Sequence, residues 1–320
     1  MAGEIAAERV EHHATLNGVE HHVLEWLPPL DAPSSPPHTG CGAKPAGTAL
    51  LLHGYMDAAA TWQNVAVRLA GAGLRVLAPD FRGFGDSARV GDGAYYHFPD
   101  YVADVADLVE EMVGRTPLLL VGHSMGGTVA SLYTGAFPST VTKLALLEGL
   151  GPPDGDVDGM PDRMRAWIEQ MRALRGRAAG PRPVGTREEA LRRLAANHPG
   201  VSIEVLRAHL DELSVDIGDG HVGWKSDPRH KTVSPMPFSA RGYIAFARRV
   251  TCPVLYVGGG ETGFSAPDAE ERLAAFASLE RCVIEDAGHM MHWTRAEDVA
   301  RCLLAHWAVP VPASPRPSTA

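Results

Sequence analysis

Gly122-His123-Ser124-Met125-Gly126 fits the pattern G-x-S-x-G, and Gly127 follows it. The apolar run Leu118–Val121 enters the motif, and Thr128–Phe137 leaves it with helical character. A serine at a sharp strand-to-helix turn has its hydroxyl lifted above the sheet, where it can attack an acyl carbon. Glycines on either side remove the Cβ atoms that would crowd so tight a turn. A serine hydroxyl is a weak nucleophile at its free pKa and needs a base within hydrogen-bond reach, which an acid in turn orients. His289 is the candidate base, because it follows Gly288 in the loop beyond the last apolar strand. His292 is the alternative, placed on the opening turn of the next helix. His123 reads as a packing residue of the turn.

The elements that must position these residues follow from the hydrophobic pattern. Residues 10–27 alternate around Asn17-Gly18, a strong hairpin signal. A Pro-, Ser- and Gly-rich loop, Pro28 to Gly47, comes next. Then strands Thr48–His53, Arg75–Pro79, Pro117–Gly122 and Val141–Leu147 alternate with helices Thr61–Ala72, Tyr101–Val113 and Ser124–Phe137. That rhythm predicts βαβ units and a mostly parallel sheet with helices on both faces. It breaks at Gly149-Leu150-Gly151-Pro152-Pro153. The following segment reads as helical, best at Met164–Leu174, Arg187–Asn197 and Ile203–Leu213, with no strong buried strand. Strand Val254–Gly258, helix Pro267–Phe276, strand Arg281–Glu285 and helix Arg295–Trp307 resume the rhythm. The chain is therefore expected to divide into an α/β core, 1–151 with 248–308, an inserted helical cap, 152–247, and a disordered tail, 309–320.

Composition excludes several function classes. Apolar residues make up 45% and charged residues 21% of the 320, as in ordinary globular proteins. Lys and Arg number 29 against 38 Asp and Glu, a formal net charge of −9, which argues against nucleic acid or an anionic membrane as partner. Residues 116–142 carry no Asp, Glu, Lys or Arg, yet Gly122, Gly126, Gly127 and Pro138 divide them into a strand and a helix rather than a membrane span. Cys41, Cys252, Cys282 and Cys302 are too scattered for a disulfide framework or a zinc site. Free thiols and an N-terminus without a signal-peptide pattern lead to the expectation of a cytoplasmic protein.

From about residue 10 to 308 the chain resembles the α/β-hydrolase superfamily. Besides the serine turn, His53-Gly54 is similar to its oxyanion-loop motif, and Pro79-Asp80-Phe81-Arg82-Gly83-Phe84-Gly85-Asp86-Ser87 to its D-x-R-G-x-G-x-S turn. Gly288-His289 after the last strand is a further likeness. His53-Gly54-Tyr55-Met56-Asp57 and Gly149-Leu150-Gly151-Pro152 resemble the serine hydrolase-like branch. The resemblance implies the α/β-hydrolase fold and an acyl-enzyme on Ser124. It also implies backbone N–H donors at Tyr55 and Met125 for the oxyanion. Most relatives place the acid after the strand that ends here near Gly258, but that position, counted from Pro253, falls on Thr262, which cannot carry the charge. Others place it one strand earlier, which here is Glu148, closing the apolar Leu144-Ala145-Leu146-Leu147. A carboxylate there is costly to bury unless paired. Glu148 is the expected acid, Glu261 the alternative; a solvated residue at the cap junction is the other reading of Glu148.

Asp80 and Arg82 read as structural. His13 and His22 are expected to face each other across the hairpin, without the further ligands a metal site needs. Gly258-Gly259-Gly260 lacks the Lys and Ser/Thr of a phosphate loop and reads as a flexible strand end. Met160, Met164, Trp167 and Met171 are candidates either for an acyl pocket or for helix packing. The expected activity is hydrolysis of a carboxylic ester or related acyl bond in a small-molecule substrate, with no metal or organic cofactor. A carbon–carbon bond hydrolase, lactonase, thioesterase or perhydrolase would use the same residues. A non-catalytic member that binds a ligand or partner in the cleft is the alternative of another class.

Overall fold

A computed structural model describes residues 7–29, 45–175 and 180–308. The expected tail 309–320, most of the loop 28–47 and Cys41 lie outside the described residues. The first hairpin joins β1 (Glu8–Leu16) to β2 (Val19–Leu27). Asn17 and Gly18 both take positive φ, 46° and 73°, as a two-residue turn matched to strand twist requires. Next come β3 (Thr48–Leu52), β4 (Arg75–Pro79), β5 (Leu118–His123) and β6 (Lys143–Leu147). The sheet is completed by β10 (Val254–Gly258) and β11 (Leu279–Val283), in the order β1-β2-β4-β3-β5-β6-β10-β11. Only the β1–β2 and β2–β4 pairings are antiparallel; the rest are parallel.

The central strands are apolar on both faces because both faces are covered. In β3, Leu50 and Leu52 enter one core while Ala49 and Leu51 enter the other. In β5, Leu118 and Leu120 part from Leu119 and Val121 in the same way. The first layer is built on α2 (Phe98–Leu108), whose last turn, Val109–Val113, widens to π-helical, and on α3 (Met125–Ala136). The second is built on α1 (Gln63–Gly71) and on α9 (Met291–Thr294) with α10 (Ala296–Ala308). Element types and order agree with the sequence reading; ends shift by a few residues, and the expected helix Pro267–Phe276 contracts to α8 (Ala269–Leu273).

The inserted segment holds α4 (Met160–Arg175), α5 (Arg187–Asn197) and α6 (Ile203–Leu213), as its periodicity suggests. It is not purely helical. Strands β7 (Arg182–Thr186), β8 (Ser214–Gly218) and β9 (His221–Trp224) form an antiparallel sheet in the order β7-β9-β8. Asp219 and Gly220, at φ 54° and 73°, turn β8 into β9. These strands have four or five residues and carry Pro183, Gly185 and Gly223, so no apolar run announces them. Helix α7 (Ala240–Ala247) packs on α3: the Tyr243 hydroxyl donates to Ser131 Oγ at 3.0 Å, and Gly135 lies against the Phe246 carbonyl. No helix among the described residues is long and apolar enough to cross a membrane.

Candidate active site

Six parallel strands end on one edge of the sheet, and the chemistry-bearing residues collect there, as binding sites of open α/β sheets do. Ser124 sits between β5 and α3 with φ 51° and ψ −115°, a conformation that costs a non-glycine residue of order 1–3 kcal/mol. The turn is held by its own N–H donating to the Leu147 carbonyl at 2.9 Å. Its hydroxyl makes no capping bond to α3, which leaves it available for other partners. The flanking glycines are required by backbone contact. A Cβ on Gly122 would lie 2.4 Å from the Gly126 carbonyl, and one on Gly126 2.3 Å from that of Leu52.

Glu148 also has positive φ, 45°, and is only 6% exposed at the end of β6. Its Oε2 accepts from His289 Nδ1 at 2.7 Å and from the Phe264 N–H at 2.7 Å, while Oε1 accepts the Gly259 N–H at 2.7 Å. The carboxylate is thus buried with three donors, which resolves the desolvation cost raised by its sequence position. The loop after β10 contributes backbone donors instead of an acid. Gly263 makes room there, since a Cβ on it would fall 2.0 Å from Glu148 Oε1. Glu261 and Thr262 in that loop are exposed, and His289 is oriented by Glu148 rather than by Glu261.

His292 is not poised at the same place. It is fully buried on α9, and its Nε2 meets Asp57 Oδ2 at 2.9 Å. Asp57 Oδ1 accepts from the Ala58 N–H at 2.9 Å and the Thr61 hydroxyl at 2.8 Å. Burial alone would raise the Asp57 pKa, but the hydrogen bond and charge of His292 hold it well below the usual carboxylate range. His123 lies between the two pairs, its ring 4.7 Å from His289 and 4.4 Å from His292. Burial and the neighbouring imidazoles push its pKa well down, so it is neutral. Its Nε2–H donates to the His289 carbonyl at 2.9 Å, tying the residue before Ser124 to the backbone of His289. The sequence reading of His123 as packing therefore misses a hydrogen-bonding part.

Tyr55 follows His53-Gly54 and Met125 opens α3; both line the same cavity as Ser124 and Glu148. The first N–H groups of a helix have no intrahelical acceptor, and Met125 is the first residue of α3. His53 Nδ1–H donates to the Gly54 carbonyl at 2.7 Å, and its Nε2 accepts the Phe81 N–H at 2.9 Å, which fixes this loop against the turn after β4. In that turn Asp80 accepts from the Ala59 N–H at 2.7 Å, the Asp86 N–H at 3.0 Å and His22 Nδ1 at 2.8 Å. Arg82 Nε donates to Asp104 at 2.6 Å. Asp80 and Arg82 thus hold the scaffold, as read from the sequence. His13 and His22 do face each other, at 5.6 Å between rings. His22, Asp80 and Asp86 converge within 4.8 Å, but Asp80 already has three donors.

The cavity over Ser124 has a volume of about 970 Å³. Its walls come from residues within 95–101, from the chain after Leu150 and from residues within 230–239. None of Met160, Met164, Trp167 or Met171 lines it. Trp167 instead packs edge-on to Tyr95 at 5.7 Å, and Met171 is buried. Arg272 on α8, fully buried and given no part by the sequence reading, braces one wall. It donates to the Leu150 and Pro152 carbonyls at 2.9 and 2.7 Å while paired with Asp268 at 2.7 Å.

A mostly parallel sheet with a serine turn after its central strand and a histidine–carboxylate pair at the same edge defines an α/β hydrolase architecture. A family model described as alpha/beta hydrolase fold matches residues 49–296, and the chain belongs to that family. A serine hydrolase-like protein of Danio rerio is 33% identical over 174 residues, 54% of this chain and 53% of that protein. A serine hydrolase-like protein of Dictyostelium discoideum is 28% identical over 217 residues, 66% and 59% of the two chains. The alignments thus span between half and two thirds of these relatives. The crystal structure of a hypothetical protein from Pseudomonas aeruginosa superposes with a TM-score of 0.78 at 29% identity, covering 93% of this chain and 99% of that one.

Proposed function

We propose that this hydrolase-family protein cleaves a carboxylic ester or related acyl bond through an acyl-enzyme on Ser124. The observation that carries the reading is the 2.7 Å contact between the buried Glu148 carboxylate and His289 Nδ1, beside a serine held at positive φ. With Nδ1–H committed to Glu148, the other ring nitrogen of His289 is left as a proton acceptor. His289 takes the Ser124 proton as the oxygen attacks the acyl carbon. The oxyanion that forms is held by the Tyr55 and Met125 N–H groups, each worth about 2.7–4 kcal/mol when well aimed. Collapse breaks the bond to the leaving group, which carries off the proton from His289. Water, giving its proton to the same nitrogen, then attacks the acyl-enzyme and releases the acid, and Ser124 regains its hydroxyl proton. Glu148 keeps the imidazole in the required tautomer and offsets its positive charge throughout.

Brief exposure to a fluorophosphonate tests the reading by intact mass. A single adduct on the wild type, absent from Ser124→Ala, is expected. Absence of any adduct would contradict it and favour a member that binds a ligand without cleaving it.

A further inference from the structure

The cavity over Ser124 is bounded by aromatic rings most of whose polar atoms are already spent, His230 Nε2 being the buried exception without a partner. The Tyr55 hydroxyl donates to the His230 carbonyl at 2.8 Å, and the Tyr96 hydroxyl donates to Asp227 Oδ2 at 2.8 Å. The Tyr95 hydroxyl meets Thr232 Oγ1 at 2.8 Å, and that of Tyr101 lies 3.4 Å from His230 Nδ1. Burial pushes His230 down to about 3, so its ring is uncharged, stacked on Phe84 at 3.8 Å. Phe98 and Phe238 also line it, edge to face at 5.8 Å. Away from the Tyr55 and Met125 N–H groups, a guest therefore meets mainly the faces and edges of rings.

Charge adds a second, independent constraint. Glu148, Asp154 and Asp156 line the cavity against one guanidinium, Arg163, which itself donates to the Ser234 carbonyl at 3.3 Å. Asp154 accepts the Ala240 N–H at 2.7 Å, and Asp156 accepts the Asp158 N–H at 2.9 Å. Both carboxylates are held in place by backbone, and a guest bearing its own carboxylate would meet a surplus of negative charge. The volume, about 970 Å³, is at the upper end of small-ligand pockets and far more than an acetyl group fills.

We infer that the substrate is a neutral ester or related acyl compound with a bulky apolar acyl group, aliphatic or aromatic, and that carboxylate-bearing acyl groups are rejected. The inference rests on Ser124 being the nucleophile. A fully buried methylene is worth about 0.8 kcal/mol, or roughly a fourfold change. Rates on p-nitrophenyl acetate, butyrate and octanoate should therefore rise in that order, with kcat/KM about 16-fold higher for butyrate than for acetate. The p-nitrophenyl half-ester of succinic acid, which matches butyrate in length but ends in a carboxylate, should be at least about tenfold slower than butyrate. Phe238→Ala should shrink the octanoate-to-acetate ratio at least about fourfold. Inactivation of Ser124 by ethyl and octyl fluorophosphonates gives the same comparison without turnover, the octyl reagent reacting faster. Acetate matching or exceeding butyrate, an equally fast half-ester, or equal inactivation by the two reagents would each overturn the inference while leaving Ser124 as the nucleophile. No modification of Ser124 by either reagent would bring down the nucleophile reading first, and the inference with it.

Discussion

Replacing Glu148 by Gln removes one charge and turns one acceptor oxygen into a donor. The carboxylate serves three buried donors, Gly259 N–H, Phe264 N–H and His289 Nδ1, and an amide cannot serve all three. If the amide oxygen stays near Gly259, its NH₂ faces His289 and imposes the wrong tautomer, which costs about 10⁴-fold in kcat in a serine triad. If the oxygen faces His289 instead, the tautomer survives but the charge opposite the imidazolium is lost. At about 4 Å and an effective dielectric constant near 20 that charge is worth about 4 kcal/mol, or roughly 10³-fold. Either way kcat on a p-nitrophenyl ester should fall by about 10³–10⁴-fold. At least one buried N–H also loses its acceptor, at about 1–3 kcal/mol of stability, readable as a lower Tm by circular dichroism. Glu261→Gln, on an exposed turn, should stay within about twofold of wild type in both assays. A folded Glu148→Gln variant with near wild-type kcat, or an equal fall in Glu261→Gln, would refute the reasoning.

Other expectations follow from the groups behind the site. Asp57→Asn breaks a buried pair with His292 and should cost about 3–5 kcal/mol in urea unfolding at neutral pH. Because Asp57 is held below the ordinary carboxylate value, its contribution is complete above about pH 3.9 and is lost as the pH falls below that. The wild type should therefore lose stability more steeply than the Asn variant on acidification through that range. Arg272→Leu leaves the Leu150 and Pro152 carbonyls without their donor and should lower stability by about 2–4 kcal/mol, with a raised KM because these residues brace the cavity wall. His123→Phe removes the donor to the His289 carbonyl and should lower kcat more than it raises KM, measured on the same ester.

The elements were legible wherever local chemistry is demanding. The serine turn announces itself because only glycine fits at Gly122 and Gly126, where neighbouring backbone approaches within a few ångström of the missing Cβ atoms. The alternation of β3 and β5 between two cores follows from strand periodicity. Glu148 could be singled out because Thr262 leaves the usual acid position empty of charge, yet its stabilising donors are backbone N–H groups and have no sequence signature. The β7–β9 sheet stayed hidden because its strands are short and its apolar residues few, although Asp219-Gly220 is the kind of pair that turns a hairpin. The Met and Trp residues of α4 are plausible wall residues by type, but none of them lines the cavity, and Trp167 packs on the Tyr95 ring instead. Arg272 was silent for a similar reason, since its carbonyl partners lie more than a hundred residues away in the chain.

The most direct test of the central claim is to trap the intermediate. Enzyme mixed with p-nitrophenyl octanoate, quenched in acid within milliseconds and digested, should yield an octanoyl group on the peptide containing Ser124, with a burst of p-nitrophenol equal to the enzyme concentration when deacylation is slow. Turnover that persists in Ser124→Ala, or an acyl group carried on any other residue, would contradict the account.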